Sequence, residues 1–242
     1  MKLDLLIDQG NTATKYHLWE GDQRIDQGEV ENQAIDSFDW PNADQVVLAS
    51  VAKSQWRTAL AERLEALNKP SLNLVELHSE SVFKGLVNAY QDSSQMGVDR
   101  WLALIAAREI YPMGVDLISL GTAITMDRID INGKHRGSRI APGWQMMQNA
   151  LGQETGKISL SEKNEETRME FGINTQQAVT SGVETLIRGG LKSWLDEGSQ
   201  SVIITGGGAK FYLDLWSRHS VIWAHDLVLR GMKIWLNAEK PK

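Results

Sequence analysis

The chain has 242 residues, long enough for one large domain or for two domains of about 120 residues each. Its 42% hydrophobic and 23% charged residues exclude a disordered chain, and its net charge of −6 argues against nonspecific binding to nucleic acid or to anionic membranes. The chain has no cysteine, which excludes disulfides, thiolate metal sites and thiol nucleophiles.

The N-terminal apolar run, residues 3–7, predicts a strand rather than a signal peptide. It contains Asp4 and is followed by no small-residue cleavage site. No apolar run approaches the roughly 18 residues that a membrane span requires. We therefore expect a soluble, cytoplasmic protein that binds neither membranes nor nucleic acid.

Apolar runs in the first half predict five strands and two helices. The strands are predicted at residues 3–7, 15–19, 24–30, 45–50 and 72–77. Apolar residues at helical spacing predict a helix over residues 53–67, with Pro70 marking its exit. A second helix is predicted over residues 97–111, and it ends before Pro112.

The same order of elements begins again after Pro112. A strand over 115–120, a turn over 121–125 and a strand over 124–131 are followed by Asn132-Gly133, a hairpin signal. Pro142 is predicted in the first turn of a helix that runs to about residue 153. The remaining predictions are an exposed loop at 155–170, helices at 175–194, 209–216 and 226–236, and a strand at 201–205. We therefore predict two related α/β domains, 1–112 and 113–242.

Three turns rich in glycine and hydroxyl residues each follow a buried strand, at residues 8–15, 121–125 and 205–208. Such turns present backbone N–H groups and small hydroxyls to a phosphate chain. Any one of them is also compatible with a plain tight turn, because glycine is common at strand ends. Their repetition is what favours nucleotide binding.

The first turn begins with Asp8 at the predicted strand end. Its carboxylate is able to hold Mg²⁺ directly or through water, while the following N–H groups, the Thr12 hydroxyl and Lys15 meet phosphate oxygens. The alternative is a hairpin in which Asp8 forms an Asx-turn and Lys15 is solvated. The residues alone leave both interpretations open.

The other two turns have alternatives of the same kind. Thr122 is placed to donate its hydroxyl to phosphate, whereas Thr125 and Asp127 alternate as they would on the polar face of any strand. Three consecutive glycines, 206–208, predict a close backbone approach to an adenosine, and a flexible turn is the alternative.

A possible acceptor site begins at Gly97. There Arg100 is able to bind a carboxylate in bidentate fashion, and Asp99 to accept a proton from an alcohol. Asp99 is equally explained as a residue that stabilises the start of a helix. No histidine pair has metal-ligand spacing, so all five are predicted to be structural or on the surface: His17, His78, His135, His219 and His225.

Taken together, five motifs make the chain resemble type III pantothenate kinases, which belong to the acetate and sugar kinase, heat-shock protein and actin superfamily. The motifs are Asp8-x-Gly-Asn-Thr-x-x-Lys15, Gly97-x-Asp-Arg100, Gly121-Thr-Ala-x-Thr125, Ile140-x-Pro-Gly143 and Thr205-Gly-Gly-Gly208. The resemblance implies an α/β fold of two duplicated actin-like (ribonuclease H-like) domains with a nucleotide cleft between them. It also implies a homodimer that phosphorylates pantothenate with ATP and Mg²⁺ in coenzyme A biosynthesis.

The resemblance also implies roles for individual residues, with Asp99 as the proton acceptor. The residues implied to bind ATP and its phosphates are Asp8, Gln9, Gly10, Asn11, Thr12, Lys15, Thr122, Gly206 and Gly207. Those implied to bind pantothenate are Tyr90, Gly97, Val98, Asp99, Arg100 and Thr175, the last reaching the partner subunit's site.

Two positions depart from the family pattern. Ser119 stands where the family has an aspartate that binds a monovalent cation such as K⁺ or NH₄⁺, and a hydroxyl attracts a cation far less than a carboxylate does. Ser138 stands where the family commonly has glycine. Ser119 predicts either cation-independent or reduced activity, and the side chain of Ser138 is predicted either to narrow the substrate cleft or to be tolerated.

Two other functions remain compatible with the sequence. One is a kinase with a different acceptor, such as a sugar or a small carboxylic acid. The other is a nucleotide-binding regulator without catalysis, for which Ser119 is the motivation. Retention of Asp8, Lys15, Asp99 and Arg100 favours an enzyme.

Overall fold

The computed structural model describes residues 2–66, 73–155, 163, 169–198, 201–216 and 220–239. Contacts divide these residues into two units. Unit 1 comprises residues up to Ile110 together with the segment that begins at Asp226, and unit 2 comprises Tyr111–His225. Each unit is built on its own five-stranded sheet.

The sheet of unit 1 has the strand order β3-β2-β1-β4-β5. Its strands are β1 (Leu3–Gln9), β2 (Ala13–Glu20), β3 (Gln23–Glu31), β4 (Gln45–Ser50) and β5 (Asn73–Glu76). Strand β1 pairs antiparallel with β2 and parallel with β4, so the first three strands form a meander. The helices of its first 110 residues are α1 (Ser54–Ala66) and α2 (Val98–Ile110), and a short hairpin, β6 (Val82–Phe83) and β7 (Leu86–Val87), lies between β5 and α2.

Alternation along β1 gives its two faces different partners. Leu5 and Ile7 belong to a core that also contains Leu60 and Leu64 of α1. Leu6 is fully buried on the opposite face of the strand. Asp8 shares the face of Leu6, because side chains two residues apart point the same way.

The sheet of unit 2 repeats this arrangement, with the strand order β10-β9-β8-β11-β12. Its strands are β8 (Val115–Leu120), β9 (Ala123–Ile129), β10 (His135–Pro142), β11 (Ser201–Thr205) and β12 (Val221–Trp223). Its helices are α3 (Trp144–Thr155), α4 (Thr175–Glu197) and α5 (Leu213–Trp216). Strand β8 pairs antiparallel with β9 and parallel with β11, as β1 does with β2 and β4. The predicted duplication is therefore confirmed.

The core of unit 2 lies between one sheet face and helices α3 and α4. Ile118 and Ile204 from the sheet pack in one cluster with Trp144 of α3 and with Val183 and Ile187 of α4. Burial of these large apolar side chains supplies most of the stabilisation that such a layer requires.

The last helix, α6 (Leu227–Glu239), packs on α2 and belongs to unit 1. The predicted second domain, 113–242, included it, so that prediction differs from the structure at the C-terminus. The reason is that α6 buries Leu229, Met232 and Leu236. An apolar helical stripe shows that a helix must be covered, but not by which domain.

Several local predictions also need correction. Pro142 is the last residue of β10, and helix α3 starts two residues later at Trp144. The predicted helix over 209–216 divides into a 3₁₀ turn and the four-residue α5. Strands β10 and β12 were not predicted, because β10 has no continuous apolar run and β12 has only three residues. The loop predicted at 155–170 and His219 lie largely or wholly outside the described residues.

In the part of the chain that the structure describes, no helix has the length and apolar character that crossing a membrane would require.

Candidate active site

A row of charged side chains crosses the unit 1 sheet where β1 ends. Asp8 lies opposite Lys15 on β2, and Lys15 lies opposite Glu29 on β3. Residues paired in register point to the same face of a sheet, so all three side chains share one face. The Lys15 ammonium lies 3.9 Å from a Glu29 carboxylate oxygen. Backbone pairing thus brings together the two charged ends of the first motif.

The turn between β1 and β2 is fixed by hydrogen bonds to Asn32, which the sequence analysis missed. The Gly10 N–H donates to the Ala13 carbonyl at 3.0 Å and closes the turn. The Asn32 side-chain amide donates to the Gly10 carbonyl at 2.9 Å, and its backbone N–H donates to the Thr12 carbonyl at 3.1 Å. The exposed Asn11 and Thr12 therefore belong to a turn that is held by Asn32, the residue after β3. The sequence signal was only an asparagine just after a predicted strand, and its burial is visible in the structure alone.

The Gln9 side chain points away from this charged face. It is fully buried, donates to the Trp56 carbonyl at 2.8 Å and accepts from the Ser50 hydroxyl at 2.8 Å. These two hydrogen bonds of the Gln9 side chain hold the start of α1 near the end of β4. A role of Gln9 in ATP binding is restricted to its backbone.

Helix α2 starts at Val98 and carries Asp99 in its first turn. An Asp99 carboxylate oxygen accepts the Arg100 N–H at 2.8 Å, which is a helix-start interaction. A β-carbon at Gly97 would lie 2.6 Å from that same oxygen. The absence of a side chain at Gly97 is therefore what lets the Asp99 carboxylate occupy its position.

The electrostatics of Asp8 identify its neighbours. Its side chain is partly accessible to solvent, but its dense surroundings desolvate it, and desolvation is the largest of the causes that together raise its pKa to about 7. The negative charge of Asp99 raises the pKa further, and Asp226 and Glu29 act in the same direction, while Lys15 lowers it. Asp8 and Asp99 are thus electrostatic neighbours in unit 1, and their predicted roles in binding and catalysis stay predictions.

Arg100 and Tyr90 form a second part of this unit. The Arg100 guanidinium donates to the Tyr90 hydroxyl at 3.3 Å and lies 6.0 Å from the centre of its ring. The Tyr90 N–H donates in turn to the buried Asn88 side chain at 3.0 Å. Both residues are half-buried, whereas Val98 is buried and offers only backbone groups. The predicted contacts Tyr90 and Arg100 are therefore adjacent.

Asp226 is the acidic residue that the sequence analysis missed. Its carboxylate lies 3.7 Å from the Lys15 ammonium and 3.6 Å from His17 Nε2. Lys15 and His17 alternate along β2 and share a face, whereas Asp226 comes from the residue before α6. No local pattern signalled this contact, since it joins positions more than 200 residues apart.

In unit 2, Gly143 and Gly206 both pack closely against the end of β8 and the turn that follows it. The Gly143 N–H donates to the Thr122 carbonyl at 3.0 Å, and a β-carbon at Gly143 would lie 2.5 Å from that oxygen. Gly206 has φ +91°, and a β-carbon there would lie 2.4 Å from the Leu120 carbonyl oxygen. These glycines let the turn after β8 pack against its neighbours.

The three consecutive glycines, 206–208, therefore have different surroundings. Gly206 and Gly208 are explained by the Leu120 backbone, to which the Gly208 N–H donates at 2.9 Å, without an adenosine. Only Gly207 of the three faces open space. The expected approach to a nucleotide is thus available at Gly207, while Gly206 serves internal packing.

Ser119 and Ser138 have different surroundings. Ser119 lies in register between Thr125 on β9 and Thr205 on β11, so three hydroxyl residues stand side by side. The Ser138 hydroxyl donates to the buried Asp127 carboxylate at 2.8 Å, and His135 lies 3.1 Å from that carboxylate. Ser138 is therefore accommodated by a polar network within unit 2.

Thr175 opens helix α4 in unit 2 and is exposed. The preceding Asn174 caps this helix by accepting the Gln177 N–H at 2.9 Å. Thr175 therefore stands on a rigid helix start, and its role towards a partner subunit stays a prediction.

Comparison with known proteins identifies the family. A family model described as type III pantothenate kinase matches residues 4–195. A type III pantothenate kinase of Hahella chejuensis is 31% identical over 239 residues, which cover 97% of this chain and 98% of the relative. Another, from Alkalilimnicola ehrlichii, is 32% identical over 244 residues, covering 94% and 95% respectively. This chain belongs to the type III pantothenate kinase family.

Solved structures agree on the fold. A Baf family protein from Campylobacter jejuni, described as a transcriptional activator, has a TM-score of 0.62 at 19% identity and covers 97% of this chain and 98% of its own. Acetate kinase from Porphyromonas gingivalis has a TM-score of 0.52 at 11% identity, covering 99% and 100%. At such identities the likeness shows the fold alone, namely duplicated actin-like domains.

The described acidic side chains of this type III pantothenate kinase family member are not arranged as a complete set of metal ligands. Among the described residues, no group of three or more histidine, aspartate or glutamate side chains is arranged to hold a metal ion. His135 is fully buried beside Asp127, in line with the structural role predicted for it.

Proposed function

We propose that this chain transfers the γ-phosphoryl group of ATP to the primary hydroxyl of pantothenate, giving 4′-phosphopantothenate and ADP, the first step of coenzyme A biosynthesis. The observation that carries the proposal is the match of residues 4–195 to the type III pantothenate kinase family, in a chain whose Asp8 and Asp99 are electrostatic neighbours. It supports a shared site for the phosphate-binding turn and the proton acceptor. Both residues lie in unit 1, together with Tyr90 and Arg100.

Asp99 is the proposed catalytic residue. Its carboxylate accepts the proton of the pantothenate hydroxyl while that oxygen bonds to the γ-phosphorus and the bond between this phosphorus and the β,γ-bridging oxygen breaks. Phosphoryl transfer through a loose transition state asks little of a base, so correct orientation of the hydroxyl is the larger contribution. Gly97 supports that orientation, because a side chain there would displace the carboxylate.

Asp8 is the proposed position for Mg²⁺, held directly or through water. The site fits a cation, because the carboxylates of Asp99, Asp226 and Glu29 all add negative charge at Asp8. When bound, Mg²⁺ neutralises phosphate oxygens that carry the developing charge. Lys15, the turn at Gly10, Asn11 and Thr12, and the Gln9 backbone contact the phosphates. Thr122 and Gly207 are the proposed contacts from unit 2, and Gly206 supports them.

Arg100 is the proposed partner of the pantothenate carboxylate. The guanidinium forms bidentate hydrogen bonds with carboxylates, and its bond to the Tyr90 hydroxyl limits its freedom before substrate arrives. Gly97 and Val98 contribute backbone groups. This pair supports pantothenate over a neutral sugar as the acceptor, since a sugar offers the guanidinium no carboxylate.

The remaining proposals concern cations, assembly and location. We propose activity without K⁺ or NH₄⁺, because Ser119 and its neighbours Thr125 and Thr205 provide hydroxyls rather than a carboxylate. We also propose a cytoplasmic homodimer in which Thr175 reaches the pantothenate site of the other subunit, as the family resemblance implies.

An ADP-release assay tests the activity. Pantothenate, a sugar panel and small carboxylic acids are compared as acceptors, with and without K⁺ or NH₄⁺. Turnover with pantothenate alone, unchanged by K⁺, is expected. ATP binding without turnover on any acceptor would favour the regulator instead.

The variant Asp99→Asn tests the role of the proton acceptor. It is expected to fold normally and to lose about 100-fold or more in kcat. The exposed Asp36→Asn is the matched control and is expected to retain parental turnover. Near-parental kcat in Asp99→Asn would show that this role is wrong.

A further inference from the structure

Asp226 occupies an unusual backbone position next to the charged row. It has φ +53°, a left-handed conformation that residues other than glycine rarely adopt. Its carbonyl accepts the Arg230 N–H at 2.9 Å, so it lies at the very start of α6. From there its carboxylate faces the Lys15 ammonium at 3.7 Å and His17 Nε2 at 3.6 Å.

The position of this carboxylate is set by the docking of α6. Gly231, five residues further on, approaches α2 so closely that a β-carbon would lie 2.0 Å from the Leu102 carbonyl oxygen. Helix α2 carries Asp99 in its first turn. The acidic residues at the starts of α2 and α6 are therefore held in place by the same helix contact.

The ion pairs of Asp226 with Lys15 and His17 are long and partly exposed. The Asp226 side chain is 34% exposed and that of Lys15 is 41% exposed, so solvent screens their attraction. A left-handed conformation is also unfavourable for a residue that has a β-carbon. These two ion pairs alone therefore do not explain why an acid occupies this position, which motivates a functional explanation.

Carboxylates outnumber cations around this residue. Asp99 on α2, Glu29 on β3 and Asp226 add negative charge at Asp8, and Lys15 opposes them. His17 faces Asp226 from β2, and Arg24 on β3 approaches His17 at 3.3 Å. Since Asp8 and Asp99 have roles in the proposed function and Glu29 is 58% exposed, Asp226 is the less exposed acid without a role.

We propose that Asp226 is a specificity-determining residue that makes the nucleotide site select the magnesium complex of ATP over free ATP. The inference rests on the proposed placement of the phosphates at Lys15. Free ATP carries about two more negative charges than its magnesium complex, so a nearby carboxylate repels it about twice as strongly. Removal of the Asp226 charge therefore relieves free ATP more than it relieves MgATP, whatever else it does to Lys15.

Calorimetric titration with ATP tests this proposal in two buffers, one with excess Mg²⁺ and one with EDTA. The measured quantity is the ratio of the dissociation constant without Mg²⁺ to that with Mg²⁺. The ratio is expected to fall roughly threefold to tenfold in Asp226→Asn, because one of the repelling charges is gone. Asparagine tolerates the left-handed conformation, so the backbone is preserved.

Three further variants separate charge from structure. Asp226→Gly removes the charge without backbone strain and is expected to lower the ratio as much as Asp226→Asn does. Asp226→Glu keeps the charge and is expected to keep a near-parental ratio. Glu29→Gln, which alters the other and more exposed partner of Lys15, is expected to change it less than twofold.

Unchanged ratios in both Asp226→Asn and Asp226→Gly would overturn the proposal, as would equal losses in Glu29→Gln. A parental chain that binds no nucleotide in either buffer would overturn it as well. Because no acceptor is present, a parental chain that binds MgATP but phosphorylates nothing contradicts the proposed function and leaves this test intact.

Discussion

Asp8 shows how strongly a tertiary neighbourhood changes one residue. Desolvation first, and then the charges of Asp99, Asp226 and Glu29, raise its pKa from 3.8 to about 7. In the folded, ligand-free chain this carboxylate is therefore about half protonated near neutral pH. Because the fold favours the protonated form, loss of the proton from Asp8 costs stability.

The cost has a defined pH dependence. Because the folded-state pKa is raised, the stability linked to protonated Asp8 is fully present below about pH 4 and is lost as the pH rises through about 7. Asp8→Asn removes this loss. The variant is expected to match the parental free energy of unfolding near pH 4 and to exceed it near pH 8 by a few kcal/mol, at about 1.4 kcal/mol per pKa unit.

Urea denaturation at both pH values, without nucleotide or Mg²⁺, measures the difference. The Asp36→Asn variant controls for the loss of one exposed carboxylate. An Asp8→Asn chain that is no more stable than the parent at pH 8 would contradict the raised pKa.

Gly97 controls the Asp99 carboxylate by leaving room for it. Gly97→Ala places a β-carbon 2.6 Å from the Asp99 oxygen, and the flexible side chain moves rather than the backbone. Stability is expected to change by less than about 1 kcal/mol, while kcat falls roughly tenfold to 100-fold because a small misplacement is costly.

Steady-state kinetics and thermal unfolding of the same Gly97→Ala sample separate the two effects. Gly189→Ala, at an exposed helical position with open space around it, is the matched control and is expected to keep parental kcat. Parental kcat in Gly97→Ala would mean that the position of the Asp99 carboxylate does not matter.

At the scale of elements, helices α2 and α6 approach each other more closely than any other segments that meet at a described glycine. A β-carbon at Gly231 would lie 2.0 Å from the Leu102 carbonyl oxygen and 2.6 Å from its carbon, and neither belongs to a side chain that can turn aside. The two helices approach so closely only because position 231 is glycine.

Gly231→Ala is therefore expected to lower the free energy of unfolding by about 2–3 kcal/mol, despite the better helix propensity of alanine. Gly182→Ala on α4, where nothing lies within 4 Å, is the control and is expected to stabilise by up to about 1 kcal/mol. Urea denaturation compares them. Equal stabilities of the two variants would show that α6 does not pack as described.

At the scale of the whole molecule, the two sheets repeat one topology, but the last helix belongs to unit 1 rather than to unit 2. Unit 1 is discontinuous, because it consists of residues up to Ile110 and the segment from Asp226. The chain therefore returns to its first unit after completing the second. This return is what brings Asp226 to Lys15.

Fragments test this division. A fragment of residues 1–110 joined through a Gly/Ser linker to residues 226–239 is expected to unfold at a higher temperature than residues 1–110 alone, because α6 covers α2. The control adds the same helix to unit 2, where residues 111–239 are expected to gain nothing over residues 111–225. Stabilisation of unit 2 instead would assign α6 to the second domain.

Much of this protein follows from local sequence. Period-two and continuous apolar runs predicted β1, β4, β8 and β11 within a few residues, because a strand between two layers needs apolar side chains whatever its neighbours are. The repeated order of strand, turn and strand predicted the duplication. The first motif predicted that Asp8 and Lys15 belong to one segment, and the antiparallel pairing of β1 with β2 sets them opposite each other.

Only the tertiary structure decided the rest. It assigned α6 to unit 1, brought Asp226 to Lys15, turned the Gln9 side chain inwards and explained Gly206 by the Leu120 backbone. The physical reason is the same in each case. Local patterns depend on residues a few positions apart, whereas the pKa of Asp8 and the space at a glycine depend on segments that meet only after folding.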